Sequence, residues 1–141
     1  MTKRFTTEIT VHWSDVDLAG VVYFPHFFRY FDDAESEFYH SLGPNVVELE
    51  ESLGIRLPRV EAHCRYLSPA RFGDRLSIAL EIERITTKTI KYLFGVRRGD
   101  EAVAEGHLVI ASVSMADFKA TPLPQKLREL LQPYAPLDGG A

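Results

Sequence analysis

Asp15 and Asp17 stand two residues apart, Gly20 follows, and an aromatic-rich segment begins at Tyr23; the stretch reads Trp13-Ser14-Asp15-Val16-Asp17-Leu18-Ala19-Gly20-Val21-Val22-Tyr23-Phe24-Pro25-His26. An aspartate is already ionised at neutral pH, so it needs no second base to act as a nucleophile or general base. A carboxylate placed just ahead of a helix start faces unpaired backbone N–H groups and the positive end of the helix dipole. Such a junction can attack a carbonyl carbon while polarising its oxygen. Gly20 lets the chain turn tightly between the acid and the helix.

Other chemistries fit these residues less well. Read as a calcium loop, Asp15, Asp17 and Gly20 take positions 1, 3 and 6, but position 5 is Ala19 and position 12 is His26 instead of a bidentate Glu. The histidines at 12, 26, 40, 63 and 107 have no metal-ligand spacing, so no metal is expected. His63 and Cys64 invite a thiol-protease reading, yet neighbours on a strand point to opposite faces and cannot meet.

The elements that must position these residues follow from periodicity. Phe5 to Trp13 alternates as a first strand. From Phe24 the apolar positions 24, 27, 28, 31, 34, 38 and 42 recur at helical spacing, with Arg29, Asp32, Asp33, Ser36, Glu37 and His40 on the other side. Pro25 suits a first helical position and Gly43-Pro44 a stop. A short helix is expected over Val47 to Leu53. Strands are expected over Arg59 to Leu67, Leu76 to Glu83, Ile90 to Val96 and Ala102 to Met115, with turns at Thr86 to Thr89 and at Arg98 to Asp100. Leu123, Leu127, Leu130 and Leu131 mark a last short helix. One long helix followed by antiparallel strands defines an α+β class.

At 141 residues the chain is expected to form one domain, residues 1–134, with a flexible tail at 135–141. A single cysteine and the lack of a signal-like segment point to a cytoplasmic protein. No apolar run is long enough for a bilayer, so no membrane partner is expected. With net charge −4 and no basic stripe, nucleic acid is not an expected partner either.

The pattern Asp15-x-Asp17-x-x-Gly20-x-Val22-x-x-x-x-Phe27, followed by an acid-bearing helix, resembles the 4-hydroxybenzoyl-CoA thioesterase family of hot-dog acyl-CoA thioesterases. Tyr66-Leu67-Ser68-Pro69-Ala70-Arg71-Phe72-Gly73-Asp74 is similar to that family's second recurring segment. The resemblance implies a hot-dog fold, with about five antiparallel strands wrapped around one central helix. It makes Asp17 the catalytic carboxylate, as nucleophile or general base, and Asp15 a structural neighbour. It implies that the Phe24 N–H receives the thioester oxygen, with Tyr23 and His26 beside it. His63, on the strand beside the expected acyl pocket, is a candidate substrate contact. Arg84, Lys88 and Lys91, around the Thr86 to Thr89 turn, are the candidates for the CoA phosphates. Arg71 is expected to pair with an acid in its turn. Phe27 stands where many relatives have Tyr, which removes a hydroxyl.

The function so implied is hydrolysis of an aryl or short-to-medium-chain acyl-CoA, with CoA as part of the substrate and no separate cofactor. The alternatives are a hot-dog hydratase or dehydratase, which needs a His–acid pair, and a non-catalytic acyl-CoA-binding module. Open sheet edges, together with the family's pocket between subunits, imply a homodimer or homotetramer.

Overall fold

In a computed structural model the protein is described over residues 3–43 and 45–136. The end of the expected tail, from residue 137, and Pro44 lie outside the described residues. Strand β1 (Phe5–Thr10) is shorter than its alternation suggests, because Trp13–Asp15 close into a single 3₁₀ turn and Trp13 is 75% exposed. Helix α1 spans His26–Ser41, with Pro25 as its cap and not its first residue. It buries Phe27, Tyr30, Phe31, Ala34, Glu35, Phe38 and Tyr39. The predicted polar face is exposed, but Phe24 is exposed too, and Tyr30, Glu35 and Tyr39 join the buried stripe.

Helix α2 (Val46–Leu53) starts where the Asn45 side chain accepts the Glu48 N–H at 2.8 Å and stops at Gly54, whose φ of 70° favours glycine. A two-residue strand β2 (Ile55–Arg56) leads to β3 (Arg59–Tyr66), β4 (Arg75–Ile85), β5 (Thr89–Arg98) and β6 (Glu101–Ala111). The expected long last strand breaks at buried Ser112. Its remainder, β7 (Val113–Ser114), pairs with β2 instead of extending the main sheet. Helix α3 (Gln125–Leu131) buries Leu127 and Leu131.

The main sheet is antiparallel in the order β1-β4-β5-β6-β3. Strands β4 and β5 alternate buried and half-buried residues, so Leu76, Ile78, Leu80, Ile82, Ile90, Tyr92, Phe94 and Val96 face α1. Phe31 of α1 stacks on Phe94 at 4.5 Å between ring centroids. That close approach requires Gly106 on β6: a Cβ there would stand 2.9 Å from the Phe31 ring and 2.1 Å from the His63 carbonyl oxygen. The helix wrapped by an antiparallel sheet is the hot-dog arrangement.

Candidate active site

The acids sit in a hairpin that docks on the entrance to α1. Val16 bridges Val22, the Asp17 N–H donates to Val21 C=O at 2.9 Å, and the Gly20 N–H returns to Asp17 C=O at 2.9 Å. Gly20 has φ 81°, a conformation that strains any residue with a Cβ. The Val22 N–H binds Ala70 C=O at 2.8 Å and Val21 bridges Arg71, so the hairpin is fixed to the segment leading into β4.

Asp15 is fully buried beneath this hairpin. Its carboxylate accepts the His12 N–H at 2.9 Å and the Tyr30 hydroxyl at 3.0 Å, and pairs with Arg29. Burial alone would raise its pKa, but these hydrogen bonds and the Arg29 charge outweigh that and hold it below the usual carboxylate range. Its structural role ties the hairpin to the first turns of α1.

Asp17 points the other way. One carboxylate oxygen accepts the Ala19 N–H at 2.8 Å, an Asx turn, and the other has no partner among the described residues. The side chain lies between two cavities. A wider one of about 780 Å³ is lined by Trp13, Ser14, Phe72, Tyr23 and His26. A narrower one of about 390 Å³ is lined by Val21, Val22, Phe24, Phe27, Tyr66 and Leu67. Asp17 thus lines the wider cavity with Tyr23 and His26, which stand edge-to-face at 5.6 Å, and the narrower one with Phe24.

The helix start offers fewer free donors than its sequence suggests. The N–H groups of His26, Phe27 and Phe28 turn back onto the carbonyls of Tyr23, Phe24 and Pro25. Pro25 has none to offer. The Phe24 N–H is left without an acceptor among the described residues, beside the narrow cavity.

Two expectations are not met within one chain. His63 is turned to the outer face of the sheet, where it stacks on His107 at 5.2 Å, away from both cavities at Asp17. The inner parity of β3 carries Cys64 and Tyr66 instead. Tyr66, which sequence reasoning passed over, packs on Phe24 and Phe27. Val60, Ala62, Cys64 and Tyr66 alternate with Glu61, His63 and Arg65, and that pattern is the signal that could have found it. Arg84, Lys88 and Lys91 surround the β4–β5 hairpin, and Lys91 pairs with Glu83 at 3.0 Å. Asp17 docks near the start of β4, and that strand has 11 residues. At about 3.3 Å per residue the hairpin lies roughly 30 Å away.

Arg71 also departs from expectation. Asp74 accepts its backbone N–H, but the ion pair is between Asp74 and Arg98 at 2.7 Å. Burial raises the pKa of the Cys64 thiol, the opposite of what a reactive thiolate needs. The His–carboxylate pair of the described residues, His107 with Glu61 at 2.6 Å, is also on the outer face, so no such pair serves the site. Among the described residues no group of His, Cys, Asp and Glu could hold a metal ion, and no helix is long and apolar enough to cross a membrane.

A helix wrapped by an antiparallel sheet, with an exposed carboxylate on the hairpin ahead of that helix, is the arrangement of the hot-dog fold, and the relatives of this chain are thioester hydrolases. The chain belongs to the thioesterase-like superfamily, which its sequence matches over residues 11–131. It is 29% identical over 119 residues to the 1,4-dihydroxy-2-naphthoyl-CoA hydrolase of Thermosynechococcus vestitus, covering 84% of this chain and 82% of that one. Among solved structures, a 1,4-dihydroxy-2-naphthoyl-CoA thioesterase from Synechocystis superposes with a TM-score of 0.84 at 27% identity, over 96% of this chain and 98% of its own. A gentisyl-coenzyme A thioesterase superposes with a TM-score of 0.79 at 26% identity, over 88% and 99%. These relatives are named for dihydroxylated aryl thioesters, not for the 4-hydroxybenzoyl thioester of the family that the motif resembles.

Proposed function

We propose that the protein hydrolyses an aryl-CoA thioester to the free acid and CoA, with Asp17 as the reacting carboxylate. The observation that carries this reading is the free oxygen of Asp17, whose side chain lines both cavities, the narrower of them shared with Phe24, whose N–H has no acceptor among the described residues. The thioester carbonyl oxygen takes the Phe24 N–H, where the α1 dipole also stabilises developing negative charge. Asp17 then attacks the carbonyl carbon, or removes a proton from a water that does. The C–S bonding electrons leave with sulfur, which is released as CoA thiol once protonated. On the direct route the acyl–Asp17 anhydride is hydrolysed by water.

The relatives support an aryl acyl group. A 1,4-dihydroxy-2-naphthoyl and a gentisyl group share one pattern, a hydroquinone ring with one hydroxyl ortho to the thioester carbon. The narrow cavity, walled by Phe24, Phe27 and Tyr66, suits such a planar ring.

The reading includes a homodimer. Strand β3 is a sheet edge and exposed along nearly its whole length, with Val60 and Tyr66 among the exposed apolar side chains. Antiparallel pairing of two β3 edges about a two-fold axis reverses the partner's strands. It brings the partner's β4–β5 hairpin to the Asp17 end of this chain. Arg84, Lys88 and Lys91 then serve the CoA phosphates across the dimer instead of within one chain.

The test is thiol release from a panel of acyl-CoAs, spanning hydroxylated aryl, plain benzoyl and aliphatic thioesters, with the free acid identified as the second product. Turnover favouring the aryl members is expected. Preference for aliphatic chains would overturn the acyl assignment, and tight binding without thiol release would make the protein a binding module.

A further inference from the structure

Tyr66 closes β3, and its ring meets Phe24 and Phe27 edge-on, with centroids 6.2 and 5.5 Å away. The three aromatic side chains line an apolar cavity that Asp17 also lines. Polar side chains in this cavity are few. Asp17 is one, and Ser68 spends its hydroxyl proton on the Ala102 carbonyl at 2.9 Å.

The Tyr66 hydroxyl donates to the Phe24 carbonyl at 3.3 Å, beyond the roughly 2.5–3.0 Å of a firm O–H···O bond. That carbonyl also accepts the Phe27 N–H, so it is not orphaned when the phenol turns away. Tyr66 is 48% exposed. As a neutral phenol it can both donate and accept.

We propose that Tyr66 is the specificity-determining residue of this cavity: its hydroxyl leaves the Phe24 carbonyl and hydrogen-bonds a hydroxyl on the ring of the acyl group. The proposal rests on the aryl-thioester reading above and names the substituent that the cavity selects. A ring without the hydroxyl leaves Tyr66 on Phe24 and gains nothing from it. A hydroxylated ring exchanges a long bond for a well-formed one, and the difference appears as preference.

The experiment compares kcat/KM for benzoyl-CoA and for 2-, 3- and 4-hydroxybenzoyl-CoA, in the wild type and in Tyr66→Phe. The wild type is expected to favour at least one hydroxylated thioester over benzoyl-CoA. In Tyr66→Phe that preference should shrink by about tenfold, the scale of one neutral hydrogen bond. Both substrates are measured on one preparation, so the fraction of folded enzyme cancels from the ratio. Equal losses on all four thioesters would overturn the proposal, because Tyr66 would then only hold Phe24 in place. A wild type indifferent to the hydroxyl would overturn it as well. Failure to turn over any aryl thioester is a different outcome: it removes the aryl reading, and this proposal with it.

Discussion

Asp15 and Asp17 share one hairpin yet carry their carboxylates into opposite environments, the first sealed beneath α1 with Arg29 and Tyr30, the second open to two cavities. Their replacements should therefore separate cleanly. Asp17→Asn should lower kcat by at least about 100-fold, the scale of losing a general base, with little change in stability. Asp15→Asn should cost about 1–3 kcal/mol in urea unfolding, because it weakens a buried hydrogen-bonded carboxylate site. Steady-state turnover and denaturation on both variants check this, and the reverse assignment of losses would exchange their roles.

Glu35 supplies a pH-dependent test of the fold. It is 5% exposed and paired with Arg59 through one oxygen, while its other oxygen has no partner among the described residues. Burial pushes its carboxyl above the ordinary range even against the Arg59 charge. A raised folded pKa contributes stability that is complete below the unfolded value and is lost as pH rises through the folded value. Glu35→Gln has no such titration. The stability of the wild type minus that of the variant should therefore fall as pH rises from about 4 to about 8, read from denaturation midpoints across that range. A difference that grows with pH would contradict the raised pKa.

Charge reversal at Arg84, Lys88 and Lys91 should raise KM more than it lowers kcat, since phosphate contacts are made equally in ground and transition states. Mixing tests whether they act across a dimer. Asp17→Asn chains carry intact cations and the triple variant carries an intact Asp17, so heterodimers should regain sites with wild-type KM if the cations serve the partner. No recovery in subunits shown to exchange would place the cations in the same chain's site or outside any site.

Gly106→Ala should destabilise the protein by about 1–3 kcal/mol, the cost of overpacking a filled core. The added methyl would collide with the His63 carbonyl, which is backbone and cannot rotate away, and would press on the Phe31 ring. Thermal unfolding measures the loss, and an unchanged midpoint would show that β3 shifts to make room.

Some expectations were legible in the chain because they rest on local chemistry. Helical spacing from Phe27 to Phe38 and alternation through β4 and β5 each depend on residues a few positions apart. The Asp17 to Gly20 turn and its place ahead of α1 belong to the same kind. Short-range spacing decides such features, since a helix or strand repeats its faces whatever it packs against.

Only tertiary packing decided which groups share a site. Glu35 and Tyr39 lie within the buried stripe of α1 because Arg59 and Tyr92 come to meet them from β3 and β5. Asp15 is buried because Arg29 and Tyr30 arrive from the first turns of α1. Tyr66 reaches Phe24 from a strand 42 positions away, while His63, three residues earlier in the same strand, faces outward. The cations of the β4–β5 hairpin are separated from Asp17 by the length of a strand. Local periodicity sets the faces of each element, but register and strand order determine which faces meet, and those depend on contacts between residues distant in the chain.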